Sequence, residues 1–215
     1  MYVGRIVAVG RTKAGANAAL YRVSSRSFPN RQAVDTGSAV AVVPRPGHEG
    51  DLQKNPYIAY NALRLAGEWA VATNGSHTDP IAEKLAAGMA PRDALALCML
   101  ALDYEHDELS TPRISALVPL RGDVGWLAIV RADALVVKAV PLVAGRAAYL
   151  STYEADDVRE AQVSDFDAAN AQEAAIFSVS GGGFAALEKP VTATAALAGP
   201  KGFTRGVHIV PAPAG

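Results

Sequence analysis

The chain has a single cysteine, Cys98, so no disulfide can form within it. No apolar run approaches the roughly 20 residues that a bilayer-spanning helix needs, because charged or glycine-rich turns interrupt every hydrophobic stretch. No charged leader followed by an apolar segment opens the chain, and the expectation is a cytoplasmic protein with no membrane partner. Net charge is lacking too. Twenty Lys and Arg against 21 Asp and Glu give −1, which provides no global basic field for counterion-driven binding to DNA or RNA, so no nucleic acid is expected as a partner. Any basic site must be local. The four histidines, His48, His77, His106 and His208, are scattered with no ligand spacing, and the acids at 103–108 lack the calcium-loop pattern, so no metal is expected. There is no G-x-S-x-G elbow, and Gly181–Gly183 leads to Phe184 rather than to a nucleophile or the Lys-Ser/Thr of a phosphate loop.

Half of the 215 residues are hydrophobic, enough to bury one sizeable core. No linker is long or polar enough to divide the chain, so one domain over 1–215 is expected. Val and Ile in MYVGRIVAVG mark a buried strand at the start. Further strands are expected at Ala18–Ser24, Ala39–Val43, Trp69–Ala72 and Tyr149–Tyr153. A meander over Ile114–Pro119, Gly125–Arg131 and Leu135–Val140 is joined by RGDVG and RADA turns. Asp79 before Pro80 signals one helix, ended by Gly88, and Pro91 opens another over PRDALALCMLALDYEH. A third helix is expected from Asn170 to Val179 and a fourth over Thr192–Ala198, with a loose PAPAG tail. Strands, then a helix pair, then strands again do not give the regular alternation of a doubly wound sheet, so an α+β layered fold is expected.

The densest chemistry lies in YRVSSRSFPNR, residues 21–31. If Leu20 to Arg26 is extended, Arg22, Ser24 and Arg26 share one face and form a claw for an oxyanion. A solvated edge strand whose arginines keep it soluble explains the same residues equally well. On the helix from Pro91, the spacing from Cys98 and Leu102 brings Glu105 to the margin of the apolar stripe, where partial burial would raise its pKa towards that of a general base. The opposing reading ends the helix before Tyr104 and leaves Asp103, Glu105, Asp107 and Glu108 as loop charges; it is preferred for Asp107 and Glu108. Asn74, Gly75, Ser76, His77 and Thr78 join a strand to a helix N-terminus, where an anion or a base edge can dock, or where ordinary turn residues suffice. NPYIAYN offers Tyr57 and Tyr60 for stacking or core packing, beside Asn55 and Asn61.

In this order, MYVGRIVAVGR, YRVSSRSFPNR, NPYIAYN, TNGSHTD, LDYEHDELSTPRI and YLSTYE resemble the archaeal-type inosine monophosphate (IMP) cyclohydrolases. Weaker echoes follow in GGGF at 181–184 and PVTA at 190–193, so the resemblance runs from residue 1 to about Gly199-Pro200. It implies a four-layer αββα sandwich similar to the N-terminal nucleophile hydrolases, although Met1-Tyr2-Val3-Gly4 offers none of the Cys, Ser or Thr nucleophiles of that fold. The implied reaction closes 5-formamidoimidazole-4-carboxamide ribonucleotide to IMP and water, the last step of purine synthesis, with no cofactor. Glu105, Arg31 and Tyr60 are the implied catalytic residues. The implied substrate-binding set is Arg22, Ser24, Arg26, Asn61, Asn74, Gly75, Ser76, His77 and Arg113, and a purine ribonucleotide is the implied partner. Two rivals are a nucleotide-binding regulator that lost turnover and an amidohydrolase of the same fold with a processed terminus. Exposed sheet edges and apolar surface favour a homo-oligomer.

Overall fold

The computed structural model describes residues 1–154, 157 and 162–211. Two antiparallel sheets carry the fold. The first runs in the order β11 (Val163–Asp165), β10 (Arg146–Ser151), β1 (Ile6–Arg11), β2 (Asn17–Ser24), β12 (Pro190–Gly199) and β13 (Gly202–Ile209). The second is β3 (Arg31–Asp35), β4 (Ala39–Pro44), β5 (Tyr60–Ala66), β6 (Trp69–Thr73), β7 (Arg113–Pro119), β8 (Val124–Arg131) and β9 (Ala134–Pro141). A short α1 (Asp51–Lys54) precedes β5. Helices α2 (Thr78–Ala86) and α3 (Pro91–Leu102) follow β6, and α4 (Ala171–Ser180) precedes β12.

Side-chain alternation divides the apolar residues into three cores. Val7, Val9, Tyr21 and Val23 of the first sheet meet Val40, Val42, Ile114 and Leu127 of the second in the space between the sheets. The opposite face of the first sheet, with Ala8, Leu20 and Ala195, packs on Ala171, Ala174 and Ala175 of α4. Val71 and Ala128, on the outer face of the second sheet, pack on Ile81 and Leu85 of α2 and on Leu95, Cys98 and Met99 of α3. The architecture is α+β, with helices on the outer faces of two stacked sheets. Among the described residues no helix is long and apolar enough to cross a membrane.

The meander, the terminal strand and the first three expected helices fall where the sequence puts them, within a few residues. The fourth does not: Thr192–Ala198 lies inside β12, paired with both β2 and β13. Its alanines look helical by propensity, but the strand is sandwiched between the inter-sheet core and α4. The Thr192 and Thr194 hydroxyls donate to the His208 and Gly206 carbonyls across the ladder. A Cβ on Gly206 would stand 2.1 Å from the Ala171 carbonyl oxygen, which shows how closely α4 lies on this sheet. Strands β3, β5, β11 and β13 were not anticipated. Most of the tail expected to be loose, residues 212–215, lies outside the described residues.

Candidate active site

The site begins at a forced turn. Gly4 has φ +74, and a Cβ there would come within 2.1 Å of the Thr152 hydroxyl and 2.8 Å of the Tyr153 ring, so only glycine fits. The turn delivers Arg5, whose backbone N–H donates to Thr152 Oγ1 at 3.1 Å. Its Nη2 donates to Glu105 Oε2 at 3.2 Å.

Glu105 arrives differently from its expected place on a helix. Helix α3 ends at Leu102, and Asp103, at φ 54, turns the chain out of the helical path. The segment then folds back on itself. The Glu105 N–H donates to the Thr111 carbonyl at 2.8 Å, and the Asp107 carboxylate accepts from the Thr111 N–H at 2.8 Å and hydroxyl at 2.7 Å. Asp107 is therefore a clasp for the loop rather than a free solvated charge. The loop tucks Glu105 inward until it is 1 % exposed. Burial raises its pKa above the ordinary carboxylate value, against the opposing pull of Arg5 and Arg113. Arg113 Nη1 stands 3.9 Å from Glu105 Oε1, close enough to attract but too long for a hydrogen bond. Oε1 is left with no hydrogen-bond partner.

Arg31 opens β3 and is 2 % exposed. Its Nε donates to the Phe28 carbonyl at 3.1 Å, while Nη1 has no partner. His77 is fully buried. Its Nε2 lies 3.1 Å from the Ile114 carbonyl, which can only accept, so Nε2 carries the proton and Nδ1 is a bare acceptor without a partner. Burial, reinforced by Arg113, lowers the His77 pKa to about 3. Gly75 leaves room for this arrangement: a Cβ there would come within 2.5 Å of Arg113 Nη1 and 3.2 Å of His77 Nδ1. Arg113 is fixed by its Nε, which donates to the Asp103 carbonyl at 2.7 Å.

Arg5, Arg31, Glu105 and Arg113 line two of three neighbouring cavities, the widest of which shares walls with both of the others. One of about 220 Å³ is lined by Arg5, Ser24, Arg26, Arg31 and Tyr153. A wider one of about 510 Å³, bordered by Phe28, Asn55, Tyr57 and Leu109, is within the ~300–1,000 Å³ usual for small-molecule sites. A recess of about 40 Å³ reaches Tyr60, Gly75, Ser76, Glu105 and Arg113. Arg5, Arg26 and Arg31 gather on the cavity of about 220 Å³, and the recess ends on a carboxylate.

Three of the expected binding residues are engaged elsewhere. Arg22 lies on the α4 side of its sheet, 1 % exposed, and its guanidinium donates to the carbonyls of Phe184 at 2.8 Å and Leu187 at 2.6 Å. Burial lowers its pKa to about 10. The expected three-residue claw is thus split: Arg22 Nε donates to Ser24 Oγ behind the strand, and Arg26 lies beyond the strand end, over the Tyr2 ring at 4.2 Å. Asn61 donates to the Asp79 carboxylate of α2, an acid that sits within the first helical turn rather than capping it. Asn74 bridges strand ends, donating to the Pro112 carbonyl at 2.9 Å and accepting from the Ile114 N–H at 2.7 Å.

A sequence model of the family described as IMP cyclohydrolase-like protein matches residues 2–202. That is most of the chain. The chain belongs to the IMP cyclohydrolase-like family. It is 46 % identical over 197 residues to an IMP cyclohydrolase of Methanosphaera stadtmanae, covering 92 % of this chain and 94 % of the relative. An IMP cyclohydrolase of Methanococcus maripaludis is 44 % identical over 198 residues, with 92 % and 95 % covered. One of Methanocella arvoryzae is 44 % identical over 211 residues, with 97 % and 98 % covered.

In this IMP cyclohydrolase-like chain, sequence reasoning missed Arg5. Arg5 is the one charged residue in the opening segment MYVGRIVAVG, and that was the available signal.

Proposed function

We infer that the chain is an IMP cyclohydrolase that closes 5-formamidoimidazole-4-carboxamide ribonucleotide to IMP and water. In this reaction the carboxamide nitrogen attacks the formyl carbon within one molecule. One proton leaves that nitrogen, a second leaves the formamide nitrogen, and the formyl oxygen departs with both as water. An amide nitrogen is a weak nucleophile, so a catalyst must hold the two groups together, take the proton and stabilise charge on oxygen.

The observation that carries this reading concerns unmet hydrogen bonds. Among the described residues, the buried side-chain polar atoms without a partner are Arg31 Nη1, His77 Nδ1 and Glu105 Oε1. Such atoms are unfavourable in an empty site, and a bound ligand relieves them. One is a carboxylate oxygen of raised basicity, suited to take a proton from the attacking amide. Another is a cationic donor, suited to the carboxamide oxygen as it gains negative charge. Glu105 therefore acts as the proton-transfer group and Arg31 as the electrostatic stabiliser, with Tyr60 against the reacting base. Ser24, Arg26, Gly75, Ser76, His77 and Arg113 form the walls around the nucleotide, while Arg22, Asn61 and Asn74 hold the backbone that shapes them.

The layered sheets and outer helices fit the αββα plan of the N-terminal nucleophile hydrolases, with one domain carrying one site and no cofactor required by the chemistry. A cytoplasmic setting and a homo-oligomeric state complete the proposal. Its test is an ultraviolet assay of the purified protein with the formylated carboxamide ribonucleotide. Formation of IMP well above the uncatalysed rate is expected; tight IMP binding without any product would instead make the protein a nucleotide-binding regulator.

A further inference from the structure

Between the sheets, the hydroxyls of Tyr21 on β2 and Tyr60 on β5 meet at 2.5 Å, with the rings edge to face at 6.3 Å. Tyr60 lines the recess that contains Glu105. Tyr21 lies behind it, 1 % exposed. Each phenol has one proton to donate, and the bond between them uses only one of the two. The direction of that bond decides where the second proton points.

The surroundings of Tyr21 fix the direction. The cations whose fields reach its hydroxyl are Arg5 and Arg31, and guanidinium groups donate but do not accept. Among the described residues, its recorded hydrogen-bond partner is the Tyr60 oxygen. Tyr21 must therefore donate to Tyr60 if its proton is to be satisfied in an apolar core. The Tyr60 proton is then free for the recess. A phenol oxygen that accepts one hydrogen bond becomes a better donor for the next, because the two polarise each other.

We propose that Tyr21 is a positioning residue that aims and strengthens the Tyr60 hydroxyl as a hydrogen-bond donor to the formyl oxygen. That oxygen gains negative charge when the nitrogen–carbon bond forms, so the donor acts more strongly on the transition state than on the bound substrate. The proposal rests on the cyclohydrolase reading and deepens it. Tyr21 touches no substrate; its effect passes entirely through Tyr60.

The test is a double-mutant cycle in the ultraviolet assay with wild type, Tyr21→Phe, Tyr60→Phe and the double variant, with IMP affinity and melting temperature measured for each. Tyr21→Phe is expected to lower kcat about tenfold with KM changed less than twofold. In the Tyr60→Phe background the same change should lower kcat less than twofold, since the group it acts through is gone. Incorporating 3-fluorotyrosine at position 21, a stronger donor of similar shape, should hold kcat at or above the wild-type value, and this comparison decides the matter if Tyr21→Phe folds poorly. A Tyr21→Phe enzyme with wild-type kcat, or losses that multiply in the double variant, would overturn the proposal and leave the cyclohydrolase reading standing. Absence of product from the wild type would sink that reading and the proposal with it.

Discussion

Arg5 and Glu105 lie 100 positions apart in the chain and meet at 3.2 Å, joining the strained entry to the first strand to the loop beyond α3. Burial works against the Arg5 charge, but Glu105 and the phenols of Tyr60, Tyr21 and Tyr153 outweigh it and hold its pKa above the usual value. The arginine stays charged at any working pH, and Glu105 always has a cation beside it.

Arg5→Gln removes that cation, so the Glu105 pKa, already raised by burial, rises further. The carboxylate is then ionised only at higher pH, and the acid limb of kcat/KM should move to the alkaline side of the wild-type limb. Loss of one partner from a buried pair should also destabilise the fold by about 3 kcal/mol. A pH–rate profile and a urea melt of the same variant check both.

Arg31→Lys keeps a positive charge but loses the planar fork, and with it the Nη1 donor that has no protein partner. If that donor stabilises charge in the transition state, kcat should fall at least tenfold while the affinity for IMP falls less. Equal losses in kcat and affinity would make Arg31 a binding residue only.

His77 gives a pH signature in stability. Its pKa is about 3 in the folded chain against an ordinary 6.5, so between these values the unfolded chain binds a proton that the folded chain refuses. Its contribution is fully present above pH 6.5 and is lost as pH falls towards 3, with a slope approaching about 1.4 kcal/mol per pH unit within the window. Denaturant melts across this range should show the slope in wild type, and His77→Gln should reduce it by about one proton.

Gly4→Ala forces a Cβ into the Thr152 hydroxyl at a backbone angle that disfavours side chains. A loss of more than about 2 kcal/mol in stability is expected. Turnover should fall as well, because Arg5 follows directly; a folded Gly4→Ala enzyme with normal kcat would show that the turn does not set the Arg5 position.

Much of the fold was legible in the sequence. Glycine and aspartate turns separate the strands of the β7–β9 meander cleanly, and Pro91 marks the start of α3. Strand β12 was not legible, because its alanines carry a helical propensity that outweighed the strand preference of its threonines and that the tertiary squeeze between two cores overrides. At the site, the sequence pointed to Glu105 through a helical spacing that the chain does not adopt. Its burial comes from the loop closure between Glu105 and Thr111 and from the Asp107 clasp, which depend on contacts that local periodicity does not report. Arg22 illustrates the converse. An arginine on an exposed strand and one satisfied by the Phe184 and Leu187 carbonyls beyond α4 have the same sequence signature, and only the partner segment distinguishes them.

The account depends most directly on the free oxygen of Glu105, so the decisive measurement compares wild type and Glu105→Gln turning over the formylated carboxamide ribonucleotide, with IMP affinity determined for both. The amide keeps the shape of the side chain but cannot take a proton. A loss of about 10² or more in kcat with IMP binding retained is predicted. Near-normal turnover by a folded, IMP-binding Glu105→Gln enzyme would contradict the account.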